Sequence, residues 1–108
     1  MEYKGDTMSI KYETELIING SPMELTEFPA DFLTNVALAA VSSLQGGDDI
    51  KTLDISQDEG TTKITANNQT LTLTPFPHDA VTNTINGLLQ TLKGVKEIQT
   101  LSIKIKAV

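Results

Sequence analysis

The sequence predicts an α+β domain, a two-layer sandwich in which a mainly antiparallel, six-stranded sheet carries two helices on one face. Shifting the chain by 48 residues aligns it with itself, and 15 of 44 positions are identical between residues 14–57 and 62–105. Each half has the pattern of strand, strand, helix and strand. One half alone is too short to bury a core, so the two halves should share one.

The repeat divides the chain into two units within a single domain that spans residues 1–108. We assign residues 1–9 to a flexible leader, 10–57 to a first ββαβ repeat and 61–106 to a second. Self-similarity at a fixed spacing is typical of duplicated supersecondary units. The predicted arrangement is a pseudo-twofold domain in which each unit covers the apolar face of the other.

Each unit opens with a predicted β-hairpin. In the first unit, apolar side chains alternate with charged ones over residues 10–18, and Asn19 and Gly20 follow as a turn that favours positive φ. In the second unit, Asn67 and Asn68 stand at the equivalent turn. Asparagine tolerates the left-handed conformation better than most residues, so the same turn is expected there.

A helix follows each hairpin, and a strand closes each unit. The helices should begin near Pro29 and Pro77, because proline lacks an amide hydrogen and already has a helical φ. We expect Gly46 and Gly94 to end them as left-handed caps. Alternating apolar residues then predict the closing strands. The opposite face of the sheet would carry threonine, lysine, glutamate and serine, so it should be hydrated or covered by a partner.

Composition excludes several classes of chemistry. The chain has no cysteine, which removes disulfides, thiolate nucleophiles and cysteine-based metal sites. Its eight basic residues are all lysines and its net charge is −6, so nucleic acid is not an expected partner. No apolar run approaches the roughly 20 residues that cross a bilayer. We therefore expect no membrane partner and a cytoplasmic location.

A repeated Phe-Pro-x-Asp-x-x-Thr-Asn segment is the most distinctive candidate for a polar ligand site. It sets Asp31 and Asn35 four residues apart on one helical face, and Asp79 and Asn83 likewise. His78, the one histidine of the sequence, is the candidate general base beside them. The competing interpretation is structural: phenylalanine packs as a staple, proline starts the helix, aspartate interacts with the helix dipole and asparagine is solvated.

Residues 54–60 have the first acidic and hydroxyl positions of a calcium-binding loop. Glu59 stands where that loop requires glycine, and Thr65 stands where it requires glutamate. We therefore interpret residues 57–60 as a β-turn. The sequence predicts no catalytic residue with its own motif, no metal site and no cofactor.

The first predicted helix suggests a contact surface. Residues 36–41 are apolar on nearly every face of that helix, whereas Asn86 replaces Leu38 in the second one. Phe32 and Leu38 are therefore the candidate interface residues for a protein partner or a homodimer. The alternative is a single exposed leucine, which needs no functional explanation.

These observations favour a small, acidic, non-enzymatic protein-interaction or structural module of the cytoplasm. The alternative is a small-ligand-binding protein or a hydrolytic enzyme whose polar site lies near the pseudo-twofold axis. The two differ in one geometric requirement. A ligand site needs the aspartate and asparagine pairs of both helices to converge on one pocket.

Overall fold

A computed structural model describes residues 11–44 and 49–108 of the chain. The predicted α+β class is confirmed, and both halves have the predicted order of strand, strand, helix and strand. The elements are β1 (Tyr12–Ile18), β2 (Ser21–Met23), α1 (Glu27–Ser42), β3 (Thr52–Asp58), β4 (Thr61–Ala66), β5 (Gln69–Thr70), α2 (Pro75–Leu89) and β6 (Thr100–Ala107). The proposed leader at residues 1–9 lies outside the described residues.

The six strands form an antiparallel sheet in the order β2-β1-β6-β3-β4-β5. β1, β2 and β3 are equivalent to β4, β5 and β6, which lie 48 residues later in the chain. If each strand is exchanged for its equivalent, the strand order is the same when read from the other edge of the sheet. This exchange defines a pseudo-twofold axis between β3 and β6, where Ile55 pairs with Ile103. A common origin of the two halves stays a prediction of the sequence.

The core lies between one face of this sheet and the two helices. Alternate residues of the strands point into it, as the period of two requires. The opposite face is polar, as predicted: Lys104 of β6 lies in register between Glu15 of β1 and Asp54 of β3. The buried apolar residues are Leu16, Ile18, Leu33, Ala37, Val41, Ile50, Leu53, Ile55, Ile64, Ala66, Leu71, Val81, Ile85, Leu89, Leu101, Ile103 and Ile105.

Both predicted hairpin turns are present. Asn19 and Gly20 have φ of 52° and 80°, and Asn67 and Asn68 have φ of 51° and 67°. Two successive left-handed residues match the right-handed twist of the flanking strands, which is why asparagine and glycine are favoured there. The local turn chemistry therefore fixes the register of each hairpin.

The ends of the helices differ from the prediction. Gly46 lies outside the described residues. Gly94 has φ of 88°, but α2 ends at Leu89, so the prediction that Gly94 caps the helix is wrong. The chain leaves α2 in successive tight turns, in which the Leu92 amide donates to the Leu89 carbonyl at 3.0 Å and the Val95 amide to the Leu92 carbonyl at 3.2 Å. Gly94 supplies the positive φ of this connection to β6.

Candidate functional site

All three phenylalanines of the chain lie on the surface of the helix layer. Phe28 is 73% exposed, Phe32 is 46% exposed and Phe76 is 81% exposed. Phenylalanine is among the residues most often buried, so the expectation that these rings pack as staples is wrong at Phe28 and Phe76. Exposed aromatic rings grouped on one layer are typical of a contact surface.

The helical phase explains this exposure. Phe28 precedes the fully buried Ala37 by nine residues, and Phe76 precedes the fully buried Ile85 by the same number. Nine residues turn a helix through roughly 900°, which leaves each ring on the side opposite the core. The nine-residue spacing is present in the sequence and predicts exposure, whereas the hydrophobicity of phenylalanine alone predicts burial.

The first aromatic surface is formed by Phe28 and Phe32, which we call the aromatic pair. Their ring centroids are 5.7 Å apart and their planes differ by 13°, so the rings stack. They stand four residues apart on one face of α1. Glu27 and Asp31 lie beside Phe28 around a shallow depression, which places carboxylates next to the rings.

The second aromatic surface is a cleft of about 370 Å³ between the end of α1 and the first turns of α2. We call it the Phe76 cleft, because the exposed ring of Phe76 stands in its wall. None of its lining side chains is charged. The start of α2 meets the end of α1 here, so the two helices run antiparallel. The lining residues are Ala40, Ser43, Leu44, Phe76, Pro77, Ala80, Val81 and Thr84.

The four polar candidates lie on the surfaces of the two helices. Asp31 and Asn35 are exposed on α1, and Asp79 and Asn83 are exposed on α2. Asp31 and Asp79 are the fifth residues of their helices, and Asn35 and Asn83 are the ninth, near the helix midpoints. Asp31 lines a depression with Thr26, Glu27 and Phe28, all from its own half of the chain. A ligand site shared by both pairs stays a prediction.

His78 links α2 to the outer edge of β4. Its Nε2 accepts a hydrogen bond from the Thr62 backbone amide at 3.0 Å, and its Nδ1 lies 3.0 Å from Asp79 Oδ1. Because Nε2 is an acceptor, Nδ1 carries the ring hydrogen and donates a hydrogen bond to the carboxylate. Both ring nitrogens are thus engaged in structural contacts. Of the five candidate site residues, the structure brings these two, His78 and Asp79, into contact.

We expect His78→Ala to lower the free energy of unfolding by about 1 kcal/mol. The Thr62 amide would lose its acceptor, and Thr62 is only 5% exposed, so water replaces the imidazole poorly. Urea denaturation measures the change. Asp79→Asn is the matched control, because it leaves Nε2 on the Thr62 amide. Equal losses in both variants would show that the Thr62 contact contributes nothing.

Leu38, the other interface candidate, is less exposed than Phe32. It packs against the core and lines a depression with Tyr12 and Ile50, toward the β1 side of the sheet. Phe32 instead belongs to the aromatic pair. The two predicted interface residues therefore face different surroundings, and the equivalent rings of Phe28 and Phe76 are the exposed apolar groups that the sequence reasoning missed.

The calcium-like segment forms the end of β3 and the turn to β4. Gln57 belongs to β3, and the turn is centred on Glu59 and Gly60, with φ of 52° and 87°. The predicted turn is thus present but lies closer to β4. Within residues 11–44 and 49–108, no group of three or more histidine, aspartate and glutamate side chains is placed to hold a metal ion.

The fold defines the class of the protein as an α+β domain, and its helix layer carries two exposed aromatic surfaces. Neither helix in the described part of the chain combines the length and the apolar character needed to cross a membrane. Comparison of the chain with protein-family models, with curated proteins and with solved structures found no match. Its function is therefore argued from its own surfaces.

Proposed function

We propose that this protein is a small, non-enzymatic protein-interaction module that binds its partners through the exposed phenylalanines of the helix layer. The observation that supports the proposal is the exposure of 46–81% at all three rings. An aromatic side chain buries roughly 150–250 Å² of mostly apolar surface when it enters a contact. Aromatic anchors of this kind supply much of the free energy of binding at protein interfaces.

The negative charges around the rings favour a protein partner and disfavour any partner that is itself anionic. The chain carries a net charge of −6, and Glu27 and Asp31 lie beside the aromatic pair. A partner that presents an apolar side chain next to lysine or arginine would complement this surface. The proposed module binds neither nucleic acid nor membranes. On the sequence arguments given above, we place it in the cytoplasm.

The alternative of a small-ligand-binding protein or a hydrolytic enzyme has weaker support. Its aspartate and asparagine pairs are exposed on two different helices, α1 and α2. Its candidate base, His78, has Nε2 engaged by the Thr62 amide and Nδ1 beside Asp79. A general base needs a free nitrogen within reach of a substrate proton. We therefore take the interaction module as the function that the surfaces favour.

The proposal predicts that serine at Phe28, Phe32 and Phe76 together abolishes partner binding while the domain stays folded. Partners are captured on the native chain, identified by mass spectrometry and titrated by calorimetry against each variant. We expect binding to weaken by at least about tenfold for each ring that the partner contacts. Removing exposed rings leaves the core unchanged, so thermal unfolding should shift little.

Val108→Ser is the matched control for this experiment. Val108 is also an exposed apolar residue, at 66%, but it lies at the end of β6 outside the helix layer. The control should bind every partner as tightly as the native chain. If the triple variant and the control bind alike, the exposed phenylalanines are not the contact surface and the proposal is refuted.

A further inference from the structure

We propose that the Phe76 cleft docks a second copy of this chain, with each copy laying its Phe76 ring into the cleft of the other around a twofold axis. The inference rests on the proposed function and names the partner of one of the two aromatic surfaces. The aromatic pair would bind a different protein.

A comparison of the two halves shows which group is missing from the cleft. Ala80 lines it, and the residue equivalent to Ala80 in the first half is Phe32. Phe32 stacks on Phe28 with centroids 5.7 Å apart, and Phe28 is the equivalent of Phe76. The second half therefore has the first ring of the stacked pair but alanine in place of the second. A ring laid over Ala80 would restore the stacking.

The shape and chemistry of the cleft suit an aromatic ring. Its volume of about 370 Å³ lies within the range of roughly 300–1,000 Å³ that is typical of small-molecule pockets, so it has room for one ring. Leu44 and Val81 give it apolar walls, and Ser43 and Thr84 add only neutral hydroxyl groups. Nothing in this lining favours a charged occupant.

A second copy can supply the missing ring. Phe76 stands in the wall of the cleft and is 81% exposed, so its ring is available to a neighbour. In an isologous twofold contact, each Phe76 would cover Ala80 of the other copy, and the two rings would stack on each other. The surface is therefore self-complementary.

Charge selects this cleft, and not the aromatic pair, for contact between copies. Two chains of net charge −6 repel each other, so a contact between them is favoured where no carboxylates are opposed. The lining of the Phe76 cleft is uncharged, whereas Glu27 and Asp31 lie beside Phe28. The equivalent of Glu27 is Pro75, and the equivalent of Asp31 is Asp79, which contacts His78 Nδ1 and does not line the cleft. A twofold contact at the aromatic pair would bring carboxylates of both copies together.

The dimer should be weak and reversible. Two rings and the cleft walls bury less than the roughly 1,200 Å² at the lower end of standard interfaces. We expect a dissociation constant on the order of 100 μM, which requires measurements at high protein concentration.

Sedimentation velocity from about 10 μM to about 1 mM tests the inference on the full chain. The native protein should change reversibly from monomer to dimer. Ala80→Phe should stay monomeric and unfold at a higher temperature, because its own ring would fill the cleft and stack on Phe76. Phe76→Ser should also stay monomeric, and it serves as the second variant if Ala80→Phe does not fold.

Phe28→Ser is the matched control, because it removes an equivalent exposed ring at the other surface and should leave the dimer intact. The inference is overturned if the native chain is monomeric throughout, if the dimer persists in Ala80→Phe, or if Phe28→Ser abolishes it. A monomeric native chain that still binds another protein through its exposed rings would overturn this inference alone. Loss of all binding through the rings would overturn the proposed function.

Discussion

Ile103→Ala is expected to lower the free energy of unfolding by about 3 kcal/mol, the largest effect that we predict for a single substitution in this chain. Ile103 is fully buried at the centre of β6, and β6 is held on both sides by β1 and β3. Truncation would leave a cavity that neighbouring strands, fixed by their hydrogen bonds, cannot close. Equilibrium unfolding in guanidinium chloride measures the loss.

The equivalent substitution Ile55→Ala tests whether the pseudo-twofold axis extends to packing. Ile55 is also fully buried and pairs directly with Ile103 across the axis. We expect nearly the same loss from each variant, and a loss in the double variant that differs from their sum because the two side chains share neighbours. Val108→Ala, at an exposed position, should change stability by less than about 0.5 kcal/mol. Unequal losses at Ile55 and Ile103 would show that the two halves pack differently.

Most of the fold is predictable from the sequence because its signals are local. Alternating apolar residues mark the strands, two positive-φ turns mark the hairpins, and a spacing of three and four marks the helices. The strand order is not local. β6 lies between β1 and β3, where residues as distant as Leu16 and Ile103 are paired, and no spacing within either segment specifies that pairing.

The exposed aromatic surfaces were less predictable than the fold. The repeat aligns Asp31 with Asp79, and this pattern suggested a polar site. It also aligns Phe28 with Phe76, and these two rings are the exposed apolar groups. The hydrogen bond from the Thr62 amide to His78 joins a strand edge to a helix. Such a contact forms only when tertiary structure brings two segments together. The sequence therefore did not indicate that His78 contacts β4 or that it accepts a hydrogen bond there.

Asn67→Ala is expected to lower the free energy of unfolding by about 2 kcal/mol. Asn67 Oδ1 accepts hydrogen bonds from the backbone amides of Lys51 at 2.7 Å and Thr52 at 3.2 Å, and Nδ2 donates to the Asp49 carbonyl at 3.0 Å. Its φ of 51° adds a further cost for alanine, which adopts the left-handed region poorly. The side chain thereby fixes the entry to β3, which belongs to the other half.

Asn19 makes the same contacts at the entry to β6. Its Oδ1 accepts from the amides of Gln99 at 2.7 Å and Thr100 at 3.0 Å, and its Nδ2 donates to the Glu97 carbonyl at 2.8 Å. Each hairpin turn therefore holds the closing strand of the opposite half. The sequence predicted the two turns from the tolerance of asparagine for positive φ, and the structure adds this reciprocal attachment. Asn19→Ala should cost as much as Asn67→Ala.

Asn68→Gly is the matched control for these two variants. Asn68 has φ of 67° in the same turn, and glycine there reproduces the Asn-Gly turn of the first half at Asn19 and Gly20. Glycine adopts positive φ without steric cost, so stability should stay the same or rise slightly. Urea denaturation of the three variants under one set of conditions gives the comparison. A loss in Asn67→Ala no greater than that in Asn68→Gly would mean that the attachment of Asn67 to β3 does not contribute to stability.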